Sequence, residues 1–126
     1  MAFKIHNLHF KSPDPEKTAQ WYIDNLGATM VRKVERPGGI VGLRLDLHGV
    51  PLNITGILPW QELEQFYGLE HVGLHTDDLA SVIEQAKAGG SRILEELTTP
   101  DGEPCCFIEG PEGVRIEVTE VERWPS

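Results

Sequence analysis

The chain has no apolar stretch near the roughly 20 residues that a membrane-spanning helix needs. Its start, MAFKIHNLHF, lacks a basic segment followed by a long apolar one, so we expect no signal peptide. Cationic residues are scarce: 11 Lys and Arg stand against 20 Asp and Glu, for a net charge of −9. Because an acidic surface repels phosphate backbones, we expect no nucleic-acid partner. With no apolar run of spanning length, we expect no membrane partner either. The acidic balance serves solubility or favours a cationic ligand, and composition alone allows both.

Cysteine is also scarce. Its two copies, Cys105 and Cys106, are neighbours in the chain and form no disulfide framework. Neighbouring residues of a strand point to opposite faces, so we expect at least one of them to pack as a small apolar residue. Free thiols suit a reducing compartment, which favours a cytoplasmic location. A length of 126 residues is enough for one compact domain with a real core.

The first half of the chain predicts a strand, a helix and three further strands. The strand covers residues 3–10, and the helix that follows has Asp14 as its N-cap, Pro15 in its first turn and Gly27 at its end. The later strands are separated by the turn sequences RPGG and HGVP, and they cover residues 28–35, 40–48 and 51–56.

The same order of elements begins again after a linker at residues 58–68. The second set contains a strand at 69–76, a helix capped by Asp77 or Asp78 and ended by Gly89 and Gly90, and strands at 91–97, 105–110 and 114–121. The sequence therefore predicts a single α+β domain over residues 1–126. It consists of two βαβββ modules, module 1 at about residues 3–57 and module 2 at about residues 69–122.

One spacing of 64 residues relates the two modules. It holds at three pairs of positions: Asp14 and Asp78, Asn7 and His71, and Asn53 and Glu117. Three landmarks with one spacing favour an internal repeat over two similar motifs in one α+β sheet. In such a repeat, equivalent residues are expected to face each other across a pseudo-two-fold axis, in a cleft between the modules.

Three segments carry a resemblance to a known superfamily. SPDPEKTAQWYIDNLGA, EHVGLHTDDL and CCFIEGPEGVRIEV are similar to the helix, the start of the second module and the closing hairpin of the vicinal oxygen chelate superfamily. That superfamily includes glyoxalase I, bleomycin-resistance proteins, extradiol dioxygenases, fosfomycin-resistance enzymes and methylmalonyl-CoA epimerase. The resemblance covers nearly the whole chain and implies a glyoxalase-like fold with a curved mixed-sheet cleft. It says less about function, because this fold hosts many chemistries.

The resemblance also implies four metal-ligand positions, which fall on Asn7, Asn53, His71 and Glu117. His71 and Glu117 have the expected chemistry. The two asparagines depart from it, because an amide oxygen binds such metals more weakly than imidazole or carboxylate does. We therefore expect Asn7 and Asn53 to contact the substrate instead.

His9 offers a third ligand. Residues 7 and 9 of one strand share a face, and their Cα atoms are about 6.6 Å apart. His9, His71 and Glu117 together would form a two-histidine, one-carboxylate site for Zn, Ni, Mn or Fe. Two alternatives stay open: His9 lines the cleft as a hydrogen-bonded histidine, or a bulge turns His6 inward.

Three classes of function follow from the resemblance. With a divalent metal, the chain would be a glyoxalase- or epimerase-type lyase or isomerase of a small oxygenated substrate, with Glu117 moving a proton. The same ligands on Fe(II) would suit an extradiol dioxygenase. Without metal, the chain would bind a cationic small molecule as bleomycin-resistance proteins do, and a regulatory partner module is a further alternative. Related chains commonly form homodimers, which we also expect.

Overall fold

The computed structural model describes residues 2, 5–36, 38–56 and 71–122. The chain divides into two compact units, residues 1–63 and 64–126, and each unit holds one set of β, α and three β elements. The predicted α+β class and the two βαβββ modules are confirmed. The predicted linker at 58–68, with Trp60, Phe66 and Tyr67, lies outside the described residues, as do the predicted strand ends at 3, 4, 69 and 70.

Module 1 is a four-stranded mixed sheet with one helix. Its elements are β1 (Leu8–Lys11), α1 (Pro15–Leu26), β2 (Thr29–Arg36), β3 (Ile40–Leu47) and β4 (Val50–Thr55). The strands are ordered β1-β4-β3-β2; β1 is parallel to β4, and the other neighbours are antiparallel.

Module 2 has the same topology. Its elements are β5 (Val72–Thr76), α2 (Leu79–Ala88), β6 (Ile93–Thr98), β7 (Pro104–Glu109) and β8 (Arg115–Glu120), in the sheet order β5-β8-β7-β6. A short 3-10 turn at Pro111–Gly113 connects β7 to β8. In the ranges that the structure describes, no helix is long and apolar enough to cross a membrane.

The first strand of each module is shorter than the sequence predicts. β1 begins at Leu8 although the prediction began at residue 3, and β5 begins at Val72 although the prediction began at residue 69. Each strand starts where its parallel partner offers the first ladder position, at Leu52 for β1 and at Ile116 for β5. Apolar alternation marks the face of a strand, but the length of the paired segment depends on the partner strand.

The ladders reproduce the repeat residue by residue. Leu8 pairs with Leu52 in module 1 and Val72 with Ile116 in module 2, which preserves the 64-residue spacing on both strands. In the middle strands, β2 and β3 of module 1 and β6 and β7 of module 2, the spacing is 63. The bulge at Met30/Arg32 corresponds at this spacing to the bulge at Ile93/Glu95. The last hairpin turn of each module restores the spacing of 64. In module 1 this turn has two residues, 48–49, and in module 2 it has three, 111–113, between residues 110 and 114, which are hydrogen-bonded.

Both helices begin and end as predicted. Asp14 accepts a hydrogen bond from the backbone N–H of Lys17, and Asp78 rather than Asp77 caps α2 through Ser81. α1 ends at Gly27, whose φ of 69° is the left-handed conformation that favours glycine. His48 lies in the β3–β4 turn and, besides meeting solvent, its Nε2 contacts the carbonyl oxygen of Leu26 at the end of α1.

The core of each module lies between its helix and one face of its sheet. In module 1 this face presents four fully or nearly fully buried residues, Leu43, Leu45, Leu52 and Ile54, to α1. The equivalent residues of module 2 are Cys106, Ile108, Ile116 and Val118, which are also buried. Cys105 is buried as well, so the prediction that at least one cysteine packs inside is confirmed.

Candidate functional site

The sheet face turned away from the helix carries the polar residues of each module. We call it the far face. Strand alternation places Arg44, Asn53 and Thr55 there in module 1, because Leu43, Leu45 and Ile54 are committed to the core. In module 2 the same alternation places Phe107, Glu117 and Thr119 on the far face.

The far face of module 2 brings His71 and Glu117 together. His71 immediately precedes β5, and Glu117 lies in the middle of β8. Nε2 of His71 is 3.7 Å from Oε2 of Glu117, and the two side chains are 33% and 30% exposed. This distance is too long for a hydrogen bond but allows both groups to act on one bound atom. Two donors at about 2.1 Å from a shared metal ion would be about 3.0–3.4 Å apart, which is close to this separation.

Three neighbours hold this pair in place. The rings of His71 and Phe107 meet edge to face, with centroids 5.4 Å apart and an interplanar angle of 84°. The guanidinium of Arg115 lies 4.5 Å from the centroid of the Phe107 ring. The hydroxyl of Thr119 donates a long hydrogen bond of 3.4 Å to Oε1 of Glu117. Phe107 itself is buried, so it forms a fixed support for the imidazole.

Gly73 lies beside the pair and adds no side chain to it. It is the ladder partner of Glu117, and a Cβ at this position would lie 3.8 Å from Oε1 of Glu117 and 4.0 Å from Cδ2 of His71. The 64-residue spacing makes Gly73 the equivalent of His9, which is the ladder partner of Asn53. The two modules therefore differ at both members of this ladder pair.

In module 1, Asn53 is held by an arginine. Its Oδ1 accepts a hydrogen bond of 2.9 Å from Nε of Arg44, its ladder partner on β3. The oxygen that would bind a metal is thus already bonded to a cation. The amide at position 53 positions a guanidinium, which Glu117 does not do at the equivalent position of module 2.

His9 takes part in a hydrogen-bond chain on the same face. Its Nε2 is 2.7 Å from Oγ1 of Thr55, and Nζ of Lys11 donates to the same hydroxyl at 3.1 Å and to the carbonyl oxygen of Gly56 at 3.3 Å. The β1–β4 ladder has no register shift, so His9 rather than His6 lies on the far face. His6 lies before the first ladder position and is exposed.

Asn7 lies just before β1 and contacts the neighbouring side chain. Its Nδ2 donates to Nδ1 of His6 at 2.7 Å. His6 is exposed, so this pair is at the surface of the module. Asn7 precedes the strand just as His71 does, but its amide is bonded within its own dipeptide.

A cavity of about 110 Å³ opens on the far face of module 1. It is lined by His9, Arg32, Val34, Gly42, Leu43, Arg44, Asn53 and Thr55. None of these lining residues is acidic, and two are arginines. The cavity is therefore a cationic, hydrogen-bonding site in a protein whose net charge is −9.

Neither module, within its described residues, contains three or more His, Cys, Asp or Glu side chains placed to hold a metal ion. Module 2 supplies two donors of the right chemistry, His71 and Glu117. Two ligands alone hold a divalent cation weakly, whereas protein sites of this kind use three or four. The residues of module 2 thus fit half of a metal site.

Neither Arg32 nor Arg44, which both line the cavity of module 1, was singled out from the sequence. For Arg44 a signal was present, since Leu43, Leu45 and Leu47 form the apolar side of β3 and leave Arg44 for the other face. For Arg32 the signal was hidden by the bulge between Met30 and Arg32, which shifts the alternation of β2.

Residues 4–118 match the family model of the Glyoxalase/Bleomycin resistance protein/Dioxygenase superfamily. A probable lactoylglutathione lyase from Synechocystis sp. is 24% identical over 129 residues, covering 94% of this chain and 95% of the relative. The family resemblance predicted from the sequence is confirmed.

Solved structures agree on the fold. Glyoxalase I from Zea mays superimposes with a TM-score of 0.76 and 19% identity, covering 95% of this chain and 46% of that one. The fosfomycin resistance protein FosX from Listeria monocytogenes superimposes with a TM-score of 0.75 and 13% identity, covering 94% and 93% of the two chains. At these identities the likeness establishes a shared fold.

Proposed function

Since the chain belongs to the Glyoxalase/Bleomycin resistance protein/Dioxygenase superfamily, we propose that it is a lyase or isomerase of glyoxalase or epimerase type. Its substrate is a small molecule with oxygens on two adjacent carbons. The observation that carries this proposal is the pair of His71 and Glu117, with Nε2 and Oε2 3.7 Å apart on one sheet face. The name of the Synechocystis relative, a probable lactoylglutathione lyase, supports the same reaction class.

Glu117 is the group that moves the proton. A carboxylate can accept the proton from the carbon next to a carbonyl and return it to the neighbouring carbon or to the other face. Glu117 is suited to this task because it is 30% exposed, which lets a substrate reach it, while the Thr119 hydroxyl and His71 restrain its orientation. His71 lies next to Glu117 and would therefore be close to the substrate oxygens on which negative charge develops.

The metal of this site is part of the proposal. His71 and Glu117 would be two of its ligands. A divalent ion bound there would stabilise negative charge on two adjacent oxygens. The structure of the FosX relative was determined with Mn(II) and a dihydroxypropylphosphonic acid, which supports a metal with an oxygenated ligand.

Metal-free binding of a small molecule is the second candidate. It is favoured by Asn7 and Asn53, whose amides bond to His6 and Arg44 in place of acting as ligands. A cationic ligand, as in bleomycin resistance, is disfavoured on the far face of module 1. That cavity is lined by Arg32, Arg44 and His9 and by no carboxylate, so it repels cations.

Elemental analysis of protein purified without a histidine tag tests the metal. Near-stoichiometric Zn, Ni, Mn or Fe is expected in the wild type and is expected to be lost in His71→Ala and Glu117→Ala. Glu109→Gln is the matched control, because Glu109 is an acid of the same sheet that pairs with Arg92. If the wild type holds none of these metals and none of them raises its Tm, the metal-dependent form of the proposal is wrong.

Proton exchange tests the chemistry directly. In D₂O, the metal-loaded enzyme is expected to exchange the hydrogen on the carbon next to the carbonyl of lactoylglutathione or of hydroxyacetone, as followed by proton NMR. Glu117→Gln is expected to slow this exchange by about a hundredfold or more, since general base catalysis contributes 10²–10⁴-fold. Equal exchange rates in Glu117→Gln and Glu109→Gln would assign the proton transfer to another group.

A further inference from the structure

Two arginines face each other on the far face of module 1. Arg32 of β2 and Arg44 of β3 are direct ladder partners, and both line the 110 Å³ cavity. Like charges directly opposite each other on neighbouring strands destabilise a sheet. In the part of the chain that the structure describes, neither guanidinium forms an ion pair with a carboxylate, although acids outnumber bases in the sequence.

The fold does not require this pair. At the 63-residue spacing, the equivalents of Arg32 and Arg44 in module 2 are Glu95 and Phe107, which are also direct ladder partners. Module 2 forms the same sheet with an acid and an aromatic ring at these positions. The charge of the arginine pair therefore needs a reason other than folding.

The cavity has the donors of an anion site. Arg44 donates its Nε hydrogen to Asn53, and this bond fixes the orientation of the guanidinium. The outer edge of the guanidinium carries its two terminal nitrogens. This edge matches the two oxygens of a carboxylate or a phosphate. Arg32, His9 and Thr55 line the same space and add further polar groups.

The cavity also has suitable room. Gly42 and Thr55 both line it, and a Cβ at Gly42 would meet Cγ2 of Thr55 at 3.4 Å, so a larger residue at position 42 would take up space in the cavity. A volume of about 110 Å³ exceeds the ~30 Å³ that one water occupies in the liquid. It admits a group of several heavy atoms, which is the size of a carboxylate or a phosphate.

We propose that this cavity binds a small anionic group, a carboxylate or a phosphate. The site is built from residues of module 1 alone. The arginine pair is a binding and specificity element, since it is assigned no part in proton transfer.

Anion titration tests the site without any catalysis. Inorganic phosphate and acetate are added separately, at constant ionic strength set with chloride, and binding is followed by the NMR shifts of the arginine Nε–H groups and backbone amides. Arg32→Gln and Arg44→Gln are each expected to weaken binding by about tenfold or more. Arg44→Lys, which keeps the charge and loses the planar edge, is expected to fall between Arg44→Gln and the wild type. Stronger binding of phosphate or of acetate identifies the anion.

Arg92→Gln is the control, because it removes one exposed cation of module 2 that already pairs with Glu109. It is expected to bind anions as the wild type does. The Tm of each variant establishes that it is folded, and Arg32→Gln serves as the second variant if loss of the Arg44–Asn53 bond prevents folding. Unchanged anion binding in folded Arg32→Gln or Arg44→Gln, or an equal loss in Arg92→Gln, would overturn the proposal.

A second variant separates anion binding from the proposed reaction. Glu117 lies in module 2 and does not line the cavity, so Glu117→Gln is expected to bind phosphate and acetate as the wild type does. A loss of anion binding in folded Glu117→Gln would contradict the assignment of the anion to the cavity of module 1.

Discussion

Gly73 lies directly opposite Glu117 in the β5–β8 ladder, at the position that His9 occupies opposite Asn53 in the β1–β4 ladder. In module 2 the ladder partner of an acid is thus a glycine, whereas in module 1 the ladder partner of a histidine is an asparagine. Among the described residues of module 2, His71 lies beside this acid, with Nε2 3.7 Å from Oε2.

Gly73→His is expected to complete a three-ligand set inside module 2. The new imidazole would start from a Cβ in ordinary contact with Glu117 and His71, at 3.8 and 4.0 Å. Adding a third ligand is expected to strengthen Zn or Ni binding by about tenfold or more, measured by isothermal titration.

Gly73→Ala is the control for this substitution, since it adds the Cβ without a donor and is expected to leave the affinity unchanged. A Gly73→His protein that folds, as judged by its Tm, and still binds no tighter than Gly73→Ala would mean that His71 and Glu117 do not converge on one metal.

Tyr22→Phe is expected to maintain or raise stability. Tyr22 is fully buried, and among the described residues its hydroxyl has no hydrogen-bond partner. An unsatisfied buried hydroxyl costs about 1–3 kcal/mol, so its removal is expected to leave the free energy of unfolding unchanged or to raise it by about 1 kcal/mol. Urea unfolding measures this, with Tyr22→Ala expected to cost about 3–5 kcal/mol.

The same residue predicts how stability depends on alkaline pH. Burial raises the pKa of Tyr22 well above its usual value. Above about pH 10 the unfolded chain releases this proton while the folded chain keeps it, so stability falls as pH rises. Tyr22→Phe is expected to flatten the slope. An identical slope in both proteins between pH 9 and 11.5 would contradict the assignment.

Both thiols are expected to be unreactive in the folded protein. Cys105 and Cys106 are 2% and 0% exposed, and burial, with smaller effects of Cys105 and Glu96, raises the pKa of Cys106 to about 11. Since the thiolate is the reactive form, labelling with a disulfide reagent at pH 8 is expected to be slow before denaturation and to reach two thiols per chain after it. Rapid labelling of the native protein would mean that β7 opens easily.

The repeat, the helices and their caps were predictable because local signals define them. Asp14 and Asp78 with glycine at the helix ends, and alternating Leu and Ile on the strands, act within a few residues. His71 and Glu117 were also predicted to belong to one site, because the family resemblance implies ligand positions on these two strands, and they lie 3.7 Å apart. The partner of His9 was not predictable, because Thr55 lies 46 residues away and its hydroxyl has no sequence signature. The arginine cavity depends on a bulge, which periodicity alone does not reveal.

Strand alternation separates packing from chemistry in this protein. The Leu and Ile residues that pack on α1 have buried equivalents in module 2, whereas the neighbouring far-face residues share almost no chemistry between the two halves. A library of substitutions restricted to positions 9, 32, 44 and 53 would therefore change which ligand module 1 binds and leave its hydrophobic core unchanged. The fold allows one half to be re-engineered for a new ligand while the other half keeps its acid.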